Sequence, residues 1–89
     1  MQDEDITFGE VPKGRNAMAV MGQKGDTKLT WDPTRDDEVM AAQLQFDYLV
    51  KEKRYAAFKM HPNGDRGDRI KEFDPAAERI IMSPQMQGG

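Results

Sequence analysis

Apolar positions along this chain fall into short strand-like runs and one long helical stretch. The first run, Ala17-Met18-Ala19-Val20-Met21, is continuous. The next, Thr27-Lys28-Leu29-Thr30-Trp31, alternates, with Thr27, Leu29 and Trp31 on one face and Lys28 and Thr30 on the other. Gly22-Gln23-Lys24-Gly25-Asp26 lies between them, and two such runs around a Gly-containing turn predict a β-hairpin.

Asp32-Pro33 then predicts a helix start, with Asp32 as N-cap and Pro33 in the first helical position. Thr34 with Asp37 is a competing capping box one step later, and Asp36, Asp37 and Glu38 suit the positive end of a helix dipole. No Gly or Pro interrupts the chain from there to about Arg54, the expected helix end. At about 100° per residue, Val39, Ala42, Phe46, Leu49 and Val50 share one stripe, the expected core face. Met40, Leu44 and Tyr48 fall on nearly the opposite side. A helix with two apolar faces is either sandwiched or offers one of them to a partner.

Residues 55–60 read as a third strand with Ala56, Phe58 and Met60 inward, and residues 61–68 as a long polar turn. Residues 69–73 read as a short fourth strand. Asp74-Pro75 repeats the Asp-Pro helix start, here for about one turn, and residues 79–83 read as a last strand ended by Pro84. Residues 1–16 hold few large apolar groups and are broken by Gly9, Pro12 and Gly14, which predicts an extended arm. The organisation expected is therefore an arm over 1–16, one α+β domain over 17–84 and a tail over 85–89. The sheet is expected to be small and mixed, with four to five strands packed on one long helix.

With 89 residues the chain builds a single modest core. The net charge of −3, with both signs interspersed, argues against nucleic acid as a partner, because such proteins present a basic face. Lys51, Lys53, Arg54 and Lys59 make a modest basic group that complements the helix C-terminus instead. The absence of cysteine excludes disulfides, thiol catalysis and cysteine-ligated zinc. His61 is the lone histidine, so neither a catalytic dyad nor a metal site of the usual kind is expected. The expectation is a protein that is not an enzyme and carries no cofactor or metal. No apolar run approaches the roughly 20 residues that cross a bilayer. The acidic start Met1-Gln2-Asp3-Glu4-Asp5 lacks the pattern of a signal peptide, which predicts a cytoplasmic location.

Other short patterns carry less. Arg66-Gly67-Asp68 matches an integrin-binding tripeptide but reads as part of the polar turn. Asn63, Asp65 and Asp68 are grouped like calcium ligands but lack the bidentate Glu of an EF-hand. The segment from Gly22 to Gly25 is too short for a phosphate loop and has no Gly-Lys-Ser/Thr.

The order of elements, together with Gly88-Gly89, resembles the β-grasp fold of ubiquitin and its relatives, in which a mixed sheet wraps one helix. The resemblance covers roughly residues 17–89. It departs in the long arm and in Pro84-Gln85-Met86-Gln87 before the glycines, where ubiquitin has basic residues. It implies a protein modifier or sulfur carrier whose Gly89 carboxylate is activated by a partner enzyme, with Gly88 and Gly89 as the reacting end. Two glycines have no side chains and suit a narrow enzyme channel. The alternative is a structural or assembly protein of a phage particle or other multi-protein complex, and thus a virion location. The strings Met18-Ala19-Val20-Met21, Gly25-Asp26-Thr27-Lys28 and Phe73-Asp74-Pro75 resemble those of short bacterial and phage proteins, a resemblance that implies no activity. Its neighbours would bind through Ile6 and Phe8 of the arm and through Met40, Leu44 and Tyr48. Self-association is open, as is the reading that Ile6 or Phe8 covers the helix stripe within the same chain.

Overall fold

A computed structural model describes residues 10–22, 27–61 and 66–85. Their elements are β1 (Asn16–Val20), β2 (Thr27–Trp31), α1 (Asp36–Lys51), β3 (Tyr55–Met60), β4 (Arg66–Ile70) and β5 (Arg79–Pro84). The five strands form one sheet in the order β2-β1-β5-β3-β4. β1 runs antiparallel to β2 and parallel to β5, and β3 runs antiparallel to both β5 and β4. This is an α+β protein with one helix against a mixed sheet.

The helix buries Ala42, Phe46 and Leu49 against Met18, Trp31, Ala57, Ala77, Ile80 and Met82. Val39 and Val50 pack at the margin of this cluster, so the expected core stripe of the helix is the observed one. Phe73 closes one end of the core, its ring 5.1 Å from Trp31 and 5.6 Å from Phe46. Tilted aromatic pairs at such distances add a specific attraction to the apolar area they bury.

The helix starts and ends inside its expected limits. Asp32 does not cap it. The N–H of Arg35 donates to the Asp32 carbonyl at 2.9 Å, and the N–H of Thr34 donates to the Asp32 carboxylate at 2.9 Å. The Asp-Pro pair thus closes a β-turn, and the helix begins at Asp36 behind Arg35, which makes no side-chain cap bond. At the other end the N–H groups of Glu52 and Lys53 both donate to the Tyr48 carbonyl, at 2.8 and 3.2 Å. Arg54 follows at φ 62°, the left-handed conformation that turns the chain into β3.

The second Asp-Pro pair forms the same turn and no helix. The N–H of Ala76 donates to the Asp74 carboxylate and that of Ala77 to the Asp74 carbonyl, both at 3.0 Å. This turn is fastened to the core from outside, since the Pro75 carbonyl accepts from Asn16 Nδ2 at 2.9 Å and from Trp31 Nε1 at 3.1 Å.

The facing of β3 is the reverse of the expected one. Tyr55 and Ala57 pack on the helix side, and Ala57 pairs with the buried Met82 of β5. Ala56, Phe58 and Met60 therefore turn to the opposite face, because side chains alternate along a strand. β4 also begins earlier than expected, at Arg66, so Arg66-Gly67-Asp68 lies in a strand and not in a turn. The pairing of β3 with β4 shifts register between Phe58 and Met60, where Gly67 comes close to the Lys59 backbone. At the start of the body, β1 includes Asn16, and Arg15 is already fixed to Thr30 and Glu38.

Candidate functional site

Among the described residues, three large apolar side chains stand out in solvent, and all three lie on α1. Met40 is 63% exposed, Leu44 65% and Tyr48 47%. The core face of the same helix is filled by Ala42, Phe46 and Leu49, so the stripe lies on the side away from the core. Charge brackets it. The first turn of the helix carries Asp36, Asp37 and Glu38, and the last carries Lys51. The Lys53 ammonium sits 6.0 Å from the centroid of the Tyr48 ring.

The acidic end is ordered by a small hydrogen-bond cluster. Arg15 Nη2 donates to Glu38 Oε1 at 2.7 Å, and the same oxygen accepts the Asp32 N–H at 3.0 Å. These bonds hold the Glu38 carboxyl below its ordinary value, the Asp32 N–H contributing most and Arg15 next. Asp32 is lowered chiefly by the Thr34 hydroxyl. Asp37 is lowered, and Arg35 raised, by their mutual hydrogen bond. All four groups are therefore held in their charged forms.

A second feature is an open cleft of 340 Å³ at the end of the sheet where β3, β4 and β5 meet, lined among others by Lys59, His61, Asp68, Glu78 and Arg79. Residue spacing gave no sign of it, because its groups come from β3, β4, β5 and the residues beside their ends, which only the sheet order brings together. Lys59 is bound there to Asp74 at 3.1 Å and so leaves the basic group expected at the helix end. Among the described residues no three His, Cys, Asp or Glu side chains are grouped to hold a metal ion. Nor is any described helix long and apolar enough to cross a membrane.

Of the residues expected to bind partners, Met40, Leu44 and Tyr48 are brought together on one surface. Ile6 and Phe8 lie outside the described residues, as do Gly88 and Gly89 and the calcium-like Asn63 and Asp65. Asp68 is exposed on β4. Gln85 is fastened to the body, donating through Nε2 to the Arg54 carbonyl at 3.0 Å and accepting from Arg69 at 3.2 Å. No protein-family model, curated protein or solved structure matches the chain.

Proposed function

We propose that the chain is a β-grasp-like modifier or sulfur carrier whose reacting end is Gly88-Gly89. The observation that carries this reading is the position of β5. It is the central strand of the sheet, parallel to β1 on one side and antiparallel to β3 on the other. Residues after Pro84 are therefore attached to a strand that is paired on both sides. The strand order and the single helix on one face support the β-grasp resemblance as well. In the reaction, the Gly89 carboxylate attacks the α-phosphorus of ATP on an activating enzyme and pyrophosphate leaves. A thiolate then attacks the acyl-adenylate carbonyl to give a thioester, or sulfide attacks it to give a thiocarboxylate, and AMP leaves in either case. The body serves as the handle that the enzyme holds.

The test is the intact mass of the protein from its own host, with a search for Gly89 joined to lysine of other proteins. An amide adduct, or the mass increase of sulfur replacing one carboxylate oxygen, supports the reading. Removing Gly88 and Gly89 should abolish either product without changing the melting temperature. Unmodified protein throughout would sink it.

A second reading, an assembly subunit, is favoured by the exposure of Met40, Leu44 and Tyr48, since apolar clusters left in solvent mark interaction surfaces. It predicts that the native protein elutes only in a larger complex and that Leu44→Glu releases it.

A further inference from the structure

We infer that the exposed face of α1 is a homodimer interface, in which a second copy of the helix packs antiparallel across a twofold axis at Leu44. The inference stands however Gly89 is used, since it concerns the opposite side of the helix from the core.

The argument starts from helical spacing. At about 100° per residue, Asp37, Met40, Leu44, Tyr48 and Lys51 fall within an arc of roughly 80°. All five are exposed. Their order along the helix is acid, apolar, apolar, aromatic, base, and Leu44 sits at its midpoint. A twofold axis through Leu44 reverses the stripe onto itself. Leu44 then meets the partner's Leu44, Met40 meets the partner's Tyr48, and Asp37 meets the partner's Lys51. Each end carries an opposite-charge pair, and the apolar centre is covered.

A parallel pairing would instead place Asp37 beside the partner's Asp37 and Lys51 beside the partner's Lys51, with like charges at both ends. Charge thus selects one orientation, and self-complementarity selects a second copy as the occupant. Ala41 is also exposed and small, so the helix axes can approach closely beside the stripe. Asp37 has a competing two-pronged contact within its own chain, from Arg35 Nε and Nη2 to its two carboxylate oxygens, both at 3.5 Å and between side chains that are more than half exposed. At that distance and exposure the contact is weak and leaves the carboxylate accessible to an incoming lysine. Met40 and Tyr48 form a favourable pair, because a flexible thioether packs against an aromatic ring.

Sedimentation velocity of the full chain over a concentration series tests this. The expected result is a monomer–dimer equilibrium that Leu44→Glu abolishes. Asp37→Lys and Lys51→Glu should each weaken dimerisation by roughly ten-fold, since each replaces attraction by repulsion at both ends. The double variant D37K/K51E should restore it, which a folding defect would not do. Because the chain has no cysteine, Leu44→Cys provides a clean second test: mild oxidation should give a disulfide dimer, whereas Gln43→Cys should not. A chain that is monomeric at all concentrations, or a double swap that fails to restore the dimer, overturns the inference. So does a chain that dimerises only after residues 1–9 are removed, because the arm would then be the occupant of the stripe.

Discussion

The indole N–H of Trp31 donates to the carbonyl oxygen of Pro75, 3.1 Å away and 44 residues along the chain. Asn16 Nδ2 donates to the same oxygen at 2.9 Å, and both side chains are buried. The bonds tie the second Asp-Pro turn to the β1–β2 hairpin. Trp31→Phe keeps an aromatic ring in the core but removes the N–H and part of the volume. The expected loss is about 2 kcal/mol, from one buried hydrogen bond and a partial cavity. Urea denaturation followed by far-ultraviolet circular dichroism measures it. No change in midpoint would mean that Asn16 alone holds the turn.

Gly67 is required by contact and not by backbone angle. A Cβ built on it would lie 2.5 Å from the Lys59 carbonyl oxygen and 3.3 Å from His61 Nε2. The carbonyl belongs to the strand and cannot swing away without disturbing the β3–β4 pairing. Gly67→Ala should cost about 1–3 kcal/mol, the usual cost of overpacking. Gly14 makes the control: it has φ 81°, and a Cβ there meets nothing within 4 Å. Gly14→Ala should cost roughly 1 kcal/mol, from conformation alone. Melting temperatures of the two variants decide the order.

Arg54 is the reverse case, a side chain where glycine fits better. It holds φ 62° after the last turn of α1. Arg54→Gly should relieve the strain and stabilise the fold by up to roughly 1 kcal/mol, less what the more flexible unfolded chain takes back. Thermal unfolding of this variant should give a melting temperature at or above the parent's. A clear drop would mean that the Arg54 side chain does more than tolerate its backbone.

The core stripe of the helix and the alternating strand at 27–31 were legible from spacing, while the continuous runs at 17–21 and 79–83 were legible from their shortness and the Gly or Pro that bounds them. The facing of β3 was not. Tyr55 and Ala57 share their phase with Lys59, so alternation favours Ala56, Phe58 and Met60 as the inward set, which is the wrong one. The choice is made by pairing with Met82, which is distant in sequence. The helix start failed for a related reason. Asp-Pro suits both an N-cap and a β-turn, and here Glu38 accepts the Asp32 N–H in a cluster completed by Arg15. β4 was expected over 69–73 and runs from Arg66 to Ile70; its start was misplaced because Arg66-Gly67-Asp68 has the composition of a turn, while its strand is an edge that can remain polar. The exposed stripe was visible through its four-residue spacing. The cleft at the sheet end was not, since its groups share no segment.

The cluster of Arg15, Asp32 and Glu38 predicts how stability depends on pH. Glu38 and Asp32 are held below their ordinary values of 4.5 and 3.8, the first chiefly by the Asp32 N–H and the second chiefly by the Thr34 hydroxyl. Carboxyls lowered in the fold contribute stability above their unfolded values and lose it as pH falls through the folded ones. The melting temperature should therefore be flat near neutrality and decline below about pH 4.5. Glu38→Gln should lower the plateau and flatten the decline. A parallel decline in both proteins would assign the acid sensitivity to other carboxyls.

The two faces of α1 make opposite predictions for the same kind of substitution. Phe46 is fully buried and touches Phe73 across the core. Phe46→Ala removes the largest side chain that the helix puts into the core, and should cost about 3–5 kcal/mol. A domain of this size has a total stability of roughly 5–10 kcal/mol, so the variant should be largely unfolded on modest heating. Leu44, two residues earlier, is 65% exposed. In dilute solution Leu44→Ala should change stability by no more than about 0.5 kcal/mol, as for other surface positions. At high concentration the difference between parent and Leu44→Ala should grow, because dimerisation stabilises only the folded parent. Melting temperatures measured over a wide range of protein concentration separate these terms. A Leu44→Ala variant that melts early even when dilute would place Leu44 under cover from its own chain, and the helix would then be sandwiched with no free face.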